Sequence, residues 1–361
     1  MLSKVATLFT VAVGLASALP STVLTSRGEG NCKPFSGNFT INQYQLYPEN
    51  SDFDPRSCLL YISSLYNATV VVYDPYSAKV VDTLEFPGIA HNPAFHLAGI
   101  EVDKRSGLIN IMPNTAAAFD TNGADVSGTN YLIQWDPTTR QVVYQVNLTE
   151  TSQGQYGGFQ DIAHDPLSNT YVVSTFGSSI LKISPDGKKV IPWWLPHPIN
   201  SSIVGTEGLA ANEWILLSND RTSGQLWSFD MRAETGVQVN VPISPPTDLG
   251  WSDAIYLPPK YHGTVLLVAQ HQEDSAGVAV LRSRDGLWRR AEFLGQVPWA
   301  QGLGPWTTGT TWAVATVEVG GSLYVELENF LDAPVPGSAG GNRSVFPWVD
   351  ITREVEVLVG A

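Results

Sequence analysis

The chain has 361 residues, of which 15% are charged, 43% hydrophobic and 10% aromatic, with 32 glycines and 24 prolines. That balance excludes a disordered chain and suits many short strands joined by tight turns. A formal net charge of −14 argues against nucleic acid or an anionic membrane surface as a partner.

Length alone suggests about two domains, but closed all-β folds often run longer as one. One domain over residues 19–361 is therefore expected. Residues 1–18 carry Lys4, an apolar run over 5–15 and the small-residue signal Ala16-Ser17-Ala18. They read as a secretory signal peptide too short to span a bilayer, and no other stretch is apolar enough to do so. The expected location is the secretory pathway, secreted or vesicular. Sequons at Asn38, Asn67, Asn147, Asn200 and Asn342 agree with this as glycosylation sites on surface loops. Cys32 and Cys58 are expected to form one disulfide pinning the N-terminal arm.

From residue 52 onward a short phrase recurs six times: a carboxylate or amide beside small or apolar residues, then an apolar strand, then a second strand closed by a turn. The clear copies are Gly99-Ile100-Glu101, Gln160-Asp161-Ile162, Thr206-Glu207-Gly208 and Ser252-Asp253-Ala254. Asp52-Phe53-Asp54 and Gln301-Gly302-Leu303 are weaker copies. Measured from residue 54, the steps are 47, 60, 46, 46 and 48 residues. A period of about 40–50 residues with several strands per unit is the signature of a β-propeller. The predicted fold is all-β, a six-bladed propeller closed by N- and C-terminal strands.

In chain order, 38–46 forms an N-terminal strand and blade one carries strands at 58–63 and 68–73. Blade two carries 99–103, 108–111 and 131–135, with a long loop at 113–129. Long loops on a compact scaffold are often functional. Blade three carries 162–164, 170–174 and 180–183, and blade four 214–218 and 225–229. Blade five carries 254–256, 264–269 and 277–282, and blade six 312–317 and 322–327. Alternation at Glu354-Val355-Glu356-Val357 predicts a closing strand at 353–359. Asp74, Asp136, Asp186, Asp230 and Asp285 mark recurring turns in which aspartate bonds local backbone.

The segments His96-Leu97-Ala98-Gly99-Ile100-Glu101, Tyr156-Gly157-Gly158-Phe159-Gln160-Asp161, Asn169-Thr170-Tyr171-Val172-Val173 and Ser252-Asp253-Ala254-Ile255-Tyr256 resemble secreted fungal proteins typified by the product encoded in trichothecene toxin gene clusters. The resemblance spans about residues 58–358. More distantly, the layout is similar to propellers of the gluconolactonase and senescence-marker-protein class. The resemblance implies a role in fungal secondary metabolism, with cofactor-free ring closure of sesquiterpenoids, including hetero-Diels-Alder joining to a tropolone quinone methide, as the activity.

The phrase is expected to gather Glu101, Asp161, Glu207 and Asp253 at one mouth of the central channel. Four acids around one axis repel, so they require a cation or proton sharing with raised pKa values. Three readings stay open: acids that bond backbone between blades, a calcium site, and protonated carboxyls that donate to a substrate oxygen. For the calcium site, Asn219 or Asn169 would add an amide ligand. Catalytic candidates are Glu101, Asp161, His96 and His164. Phe119, Tyr156, Glu207, Trp251, Asp253, Gln301 and Trp306 are candidates to line a pocket for an apolar small molecule, with His91 and Trp299 beside them. Inter-blade packing is the competing reading for any one aromatic, and Trp193-Trp194 reads as a plug joining blades. His271 reads as solvent-facing. No cofactor is expected for a cyclase, Ca²⁺ for a lactonase, and none of the serine-hydrolase elbow, phosphate-loop, dinucleotide or zinc-helix motifs occurs. A secreted ligand-binding propeller without catalysis is the third alternative.

Overall fold

The computed structural model describes residues 32–271, 277–298 and 311–360. Within them the chain folds into six sheets arranged as the blades of a propeller. The innermost strands are Pro48–Asp54, Phe95–Val102, Gly157–His164, Thr206–Asn212, Ser252–Tyr256 and Trp312–Val319. Each lies beside the innermost strands of the two neighbouring blades, and Trp312–Val319 returns to Pro48–Asp54, so the ring is closed. Sheet faces are covered by neighbouring blades on both sides, which is why the second and third strands are continuous apolar runs. Val70, Val71, Val72 and Tyr73 are all buried, as are Leu266, Leu267, Val268 and Ala269. Apolar clusters fill the clefts between successive blades.

Closure uses both chain ends, with one strand in a different place from that expected. Phe39–Asn42 pairs antiparallel with Val345–Asp350, setting Phe39 opposite Trp348. The Phe39 ring stacks 5.6 Å from both Tyr73 and Trp348, joining blade six to blade one. Residues 353–359 are not that strand: Thr352–Val359 is an α-helix. Val355 is buried, while Leu358 and Val359 pack on the cleft between blades five and six. Spacing of three and four overrode the short alternation. Gly360, at φ 77°, ends the helix in the left-handed conformation that favours glycine.

Cys32 and Cys58 form the expected disulfide. The turn aspartates act as predicted; Asp74 accepts from the backbone N–H groups of Tyr76 and Ser77, and Asp136 from Thr138 and Thr139. Asp103 and Asp165 do the same at turns the sequence reading left unmarked. Trp193 lies 4.9 Å from Tyr171 of blade three and 5.8 Å from Phe229 of blade four, as a blade-joining plug should. Asn38, Asn200 and Asn342 are exposed, whereas Asn67 and Asn147 are half-buried. The region 113–129 supplies the end of the strand Ile109–Thr115, a short helix Ala116–Asp120 and the loop that follows. No helix among the described residues is long and apolar enough to cross a membrane. Residues 1–18 lie outside the described residues.

Candidate functional site

The four clear copies of the recurring phrase each lie at or beside a β-bulge. Pairing of the innermost with the second strand slips at Pro48/Ser51, Leu97/Ile100, Phe159/Asp161, Thr206/Leu209, Ser252/Ile255 and Ala313/Ala315. A bulge leaves a residue unpaired and re-aims its side chain, so each blade turns polar groups toward the axis. The small residues permit close approach of adjacent inner strands. A Cβ on Gly99 would lie 2.7 Å from the Gln160 carbonyl oxygen, and one on Gly208 would lie 2.6 Å from the Ile255 nitrogen. In blade six the slip falls within Trp312–Val319, while Gln301, Trp299 and Trp306 lie outside the described residues.

These polar groups form two sites rather than one. Asn50 Nδ2 donates to Asp161 Oδ1 at 3.2 Å, and Gln160 Nε2 donates to Glu49 Oε1 at 2.8 Å. Both bonds join blade one to blade three and therefore cross the channel. Asp161 is committed structurally: Oδ1 accepts from the Ile162 N–H and Oδ2 from the Leu209 N–H of blade four. Burial raises its pKa well above the usual carboxylate range. Asp161 and Asn50 roof a lower cavity that also contains Glu101 and His164, whereas Glu207 and Asp253 lie outside its lining. The expected convergence of Glu101, Asp161, Glu207 and Asp253 at one mouth is thus replaced by a division along the axis.

At the upper end, where the connections between blades lie, every blade contributes. Blade one supplies Glu49 and Tyr66, and blade two supplies His96 and Phe119, whose rings lie 5.5 Å and 6.2 Å from one another in the order Tyr66, His96, Phe119. Blade three supplies Gln160 and Thr175, the latter donating to Glu207 Oε2 at 2.8 Å. Blade four supplies Glu207 and Arg221, with Nη1 3.7 Å from Glu207 Oε1 and the guanidinium 5.3 Å from the Trp251 ring. Asp253 and His271 of blade five stand 3.0 Å apart. His271 is buried against Trp312 and Phe330, not solvent-facing. Blade six adds Glu326 and Glu328, both fully buried.

This mouth is unusually short of hydrogen-bond donors. Among the described residues Glu49 Oε2, Asn114 Oδ1, Gln160 Oε1, Glu326 Oε1 and both carboxylate oxygens of Glu328 have no hydrogen-bond partner. Buried polar atoms are ordinarily paired, so such a group marks a place for water or a ligand. Burial, with Asp253, Glu207 and Glu326 nearby, holds the Glu49 carboxyl well above its ordinary range. Burial and Glu49 do the same to Glu328. Burial raises Glu326 to about 8, and raises Glu207 to about 8 despite the opposing Arg221 charge. Burial lowers His96, leaving its imidazole neutral. Neutral carboxyls can donate a hydrogen bond or a proton where an ionised one only accepts.

Other candidates fall elsewhere. Tyr156 is core, packed 6.4 Å from the Phe159 ring. His91 is exposed and pairs with Glu85. Asn219 bridges Gly208 N–H, Ser252 Oγ and the Asp253 carbonyl, while Asn169 binds the Asp165 turn. Neither amide is free to ligate a metal. Among the described residues no three His, Cys, Asp or Glu side chains are grouped to hold an ion. Glu49, Tyr66, Arg221, His271, Glu326 and Glu328 escaped sequence reasoning. The last two lie on a strand that otherwise reads as core, Ser322–Glu328; glutamates at alternate positions in a fully buried strand were the available signal.

Trichothecene biosynthesis protein 14 of Trichoderma arundinaceum is 36% identical over 349 residues, covering 92% of this chain and 93% of that protein. The crystal structure of the major allergen Mala s 1 of Malassezia sympodialis superposes with a TM-score of 0.73 at 18% identity, covering 88% of this chain and 96% of that one. The gluconolactonase of Xanthomonas campestris shares the fold at a TM-score of 0.53 and 14% identity, over 86% of this chain and 87% of that one. Residues 29–244 match the family described as Mal s 1 allergenic protein-like. The chain belongs to the Mal s 1 allergenic protein-like family of six-bladed propellers and is a relative of trichothecene biosynthesis protein 14.

Proposed function

We propose that the protein is a cofactor-free ring-closing enzyme of fungal sesquiterpenoid metabolism, a hetero-Diels-Alderase-like or related cyclase, acting at the upper mouth. The supporting observation is the pair Glu49 and Glu328: buried carboxyls with raised pKa values and unpartnered oxygens, beside the aromatic surfaces of Tyr66, Phe119, Trp312 and Phe330. The relative named for trichothecene biosynthesis supports a role in secondary metabolism. Entry to the secretory pathway is part of the proposal, supported by the disulfide and the exposed sequons at Asn38, Asn200 and Asn342.

Ring closure by cycloaddition leaves little covalent work for a protein. Holding the reacting ends together supplies an effective concentration of about 10⁵ M or more in favourable cases. A protonated carboxyl on Glu49 or Glu328 donates to the enone or quinone-methide oxygen as negative charge grows there, then keeps its proton when the new bonds are complete. Atoms balance without a co-reactant, because the product has the combined composition of the reactants. Arg221 holds Glu207, and Trp251, 59% exposed, forms an apolar flank over Arg221.

The test is incubation of the purified chain with sesquiterpenoid intermediates bearing such an oxygen, followed by chromatography and mass spectrometry. A product without added water is expected, with activity insensitive to EDTA. Glu49→Met and Glu328→Met, similar in size but without a donor, are expected to lower kcat by about 10²-fold or more. A product that has gained one water, ligand recovered unchanged, or full activity in both variants overturns the reading.

A further inference from the structure

We propose that an N-linked glycan on Asn147 lies in the groove between blades two and three, where it covers an exposed sheet edge. The proposal rests on the entry to the secretory pathway put forward above.

The outermost strand of a sheet presents unpaired N–H and C=O groups on which another chain can pair. Proteins blunt such edges with charge, proline, short length or a cover. Five of the six blades do so. On blade one, Lys79–Leu84 carries Lys79 and Asp82, the latter 2.6 Å from Arg140. On blade three, Val190–Trp194 has Pro192 at its centre. The outer strand of blade four, Val239–Asn240, has two residues. On blade five, Ile243–Ser244 pairs with Ala291–Pro298 and covers it. Blade six ends on Phe39–Asn42, of four residues.

Blade two is the exception. It ends on Gln141–Asn147, seven residues without charge, proline or glycine, and no strand among the described residues pairs with its outer side. Val142 and Val143 are 45% and 50% exposed. The pairing slips beside Val143, but residues 144–147 form a regular ladder with 131–134.

At the end of this edge stands Asn147, in the sequon Asn147-Leu148-Thr149. Its Oδ1 accepts from the Thr149 N–H at 3.0 Å, which turns Nδ2, the atom that takes the sugar, toward Glu150 Oε1 at 3.5 Å on the exposed side. Asn147 lines a groove of about 480 Å³ together with Tyr131, Val146, Glu150, Lys188 and Val190, a volume in the range of small-molecule sites. Tyr131 is the cross-strand partner of Asn147, so the two side chains leave the same face with Cβ atoms about 5 Å apart. An aromatic ring therefore stands beside the first N-acetylglucosamine. That sugar has an apolar C–H face, which Tyr131, Val146 and Val190 can cover. Its rim of hydroxyl and N-acetyl groups can bond Glu150 and Lys188. The rest of the glycan then excludes a further strand by bulk, the task that charge and proline perform on the other blades. Without it, the edge is free to pair antiparallel with the same strand of a second copy about a two-fold axis.

The chain is produced in a secreting yeast, its sequons are examined by glycopeptide mass spectrometry, and the native protein is treated with peptide N-glycosidase F. Asn147 is expected to be occupied and to be released at least tenfold more slowly than the exposed sites Asn38, Asn200 and Asn342. Tyr131→Ala is expected to remove that protection. Asn147→Gln, unlike Asn200→Gln, is expected to self-associate in sedimentation velocity. A bare Asn147 beside occupied exposed sites, release as fast as theirs, or an Asn147→Gln chain that stays monomeric overturns the proposal. Release rates on the wild-type protein decide it even if a variant is not secreted. Absence of sugar from every sequon overturns the secretory reading as well, so the two failures are distinguishable.

Discussion

Glu326→Gln should stabilise the protein in alkaline solution and leave it nearly unchanged in acid. Glu326 is fully buried; Oε2 accepts from Ser51 Oγ at 2.5 Å and Oε1 has no hydrogen-bond partner among the described residues. Burial raises its pKa from 4.5 to about 8. An unfolded chain ionises this group near the lower value, so between the two the folded state holds the extra proton. Its contribution is complete below pH 4.5, declines as pH rises, and levels off above about 8. At about 1.4 kcal/mol per pH unit, the loss from pH 5 to pH 8 is about 4 kcal/mol at the limit. Water entry and relaxation around a buried charge reduce this to about 2 kcal/mol. Glutamine keeps an acceptor for Ser51 and does not titrate. Denaturant unfolding at pH 5 and pH 8 should show the variant gaining about 2–4 kcal/mol over wild type between the two. A difference independent of pH would refute the claim that Glu326 is neutral in the folded channel.

Further outcomes follow from the same geometry. Asp161→Ala leaves the Leu209 and Ile162 N–H groups buried without an acceptor and should cost about 2–4 kcal/mol by denaturant titration; a change under 1 kcal/mol contradicts the inter-blade role. Gly208→Ala should destabilise by about 1–3 kcal/mol, since its Cβ falls 2.6 Å from the Ile255 nitrogen and 2.8 Å from Asn219 Oδ1. An unchanged unfolding midpoint would mean that the inner strands separate easily. Removing the Cys32–Cys58 bridge, which spans 26 residues, should cost about 3 kcal/mol from loop closure, read as a lower denaturant midpoint for the double Cys→Ser variant.

The architecture was legible because a period of 46 to 48 residues repeats in four of five steps, and because each turn aspartate stands at the same place in its unit. The phrase also marked the axis, since a bulge needs small residues and tolerates polar ones. What it did not reveal was depth along the channel. Glu101 follows the slip at Leu97/Ile100, whereas Glu207 sits within the slip at Thr206/Leu209. A displacement of this kind moves a side chain from one mouth to the other, and linear spacing alone does not resolve it. The C-terminal misreading has a similar cause: valines at 355, 357 and 359 satisfy a strand, but burial of Val355 with packing of Leu358 and Val359 is helical. Glu326 and Glu328 showed only as alternate glutamates on an otherwise apolar strand, and Glu49 carried no signal at all. Their significance comes from carboxylate oxygens left without a partner, which only three-dimensional packing discloses.

The ring-closing account depends on neutral carboxyls at the upper mouth near physiological pH. Difference infrared spectroscopy of the protonated-carboxyl C=O stretch, comparing wild type with Glu49→Gln and Glu328→Gln at pH 7, measures this directly. The account predicts a buried protonated-carboxyl band in wild type that weakens in each variant; a wild-type spectrum with only ionised carboxylates at pH 7 contradicts it.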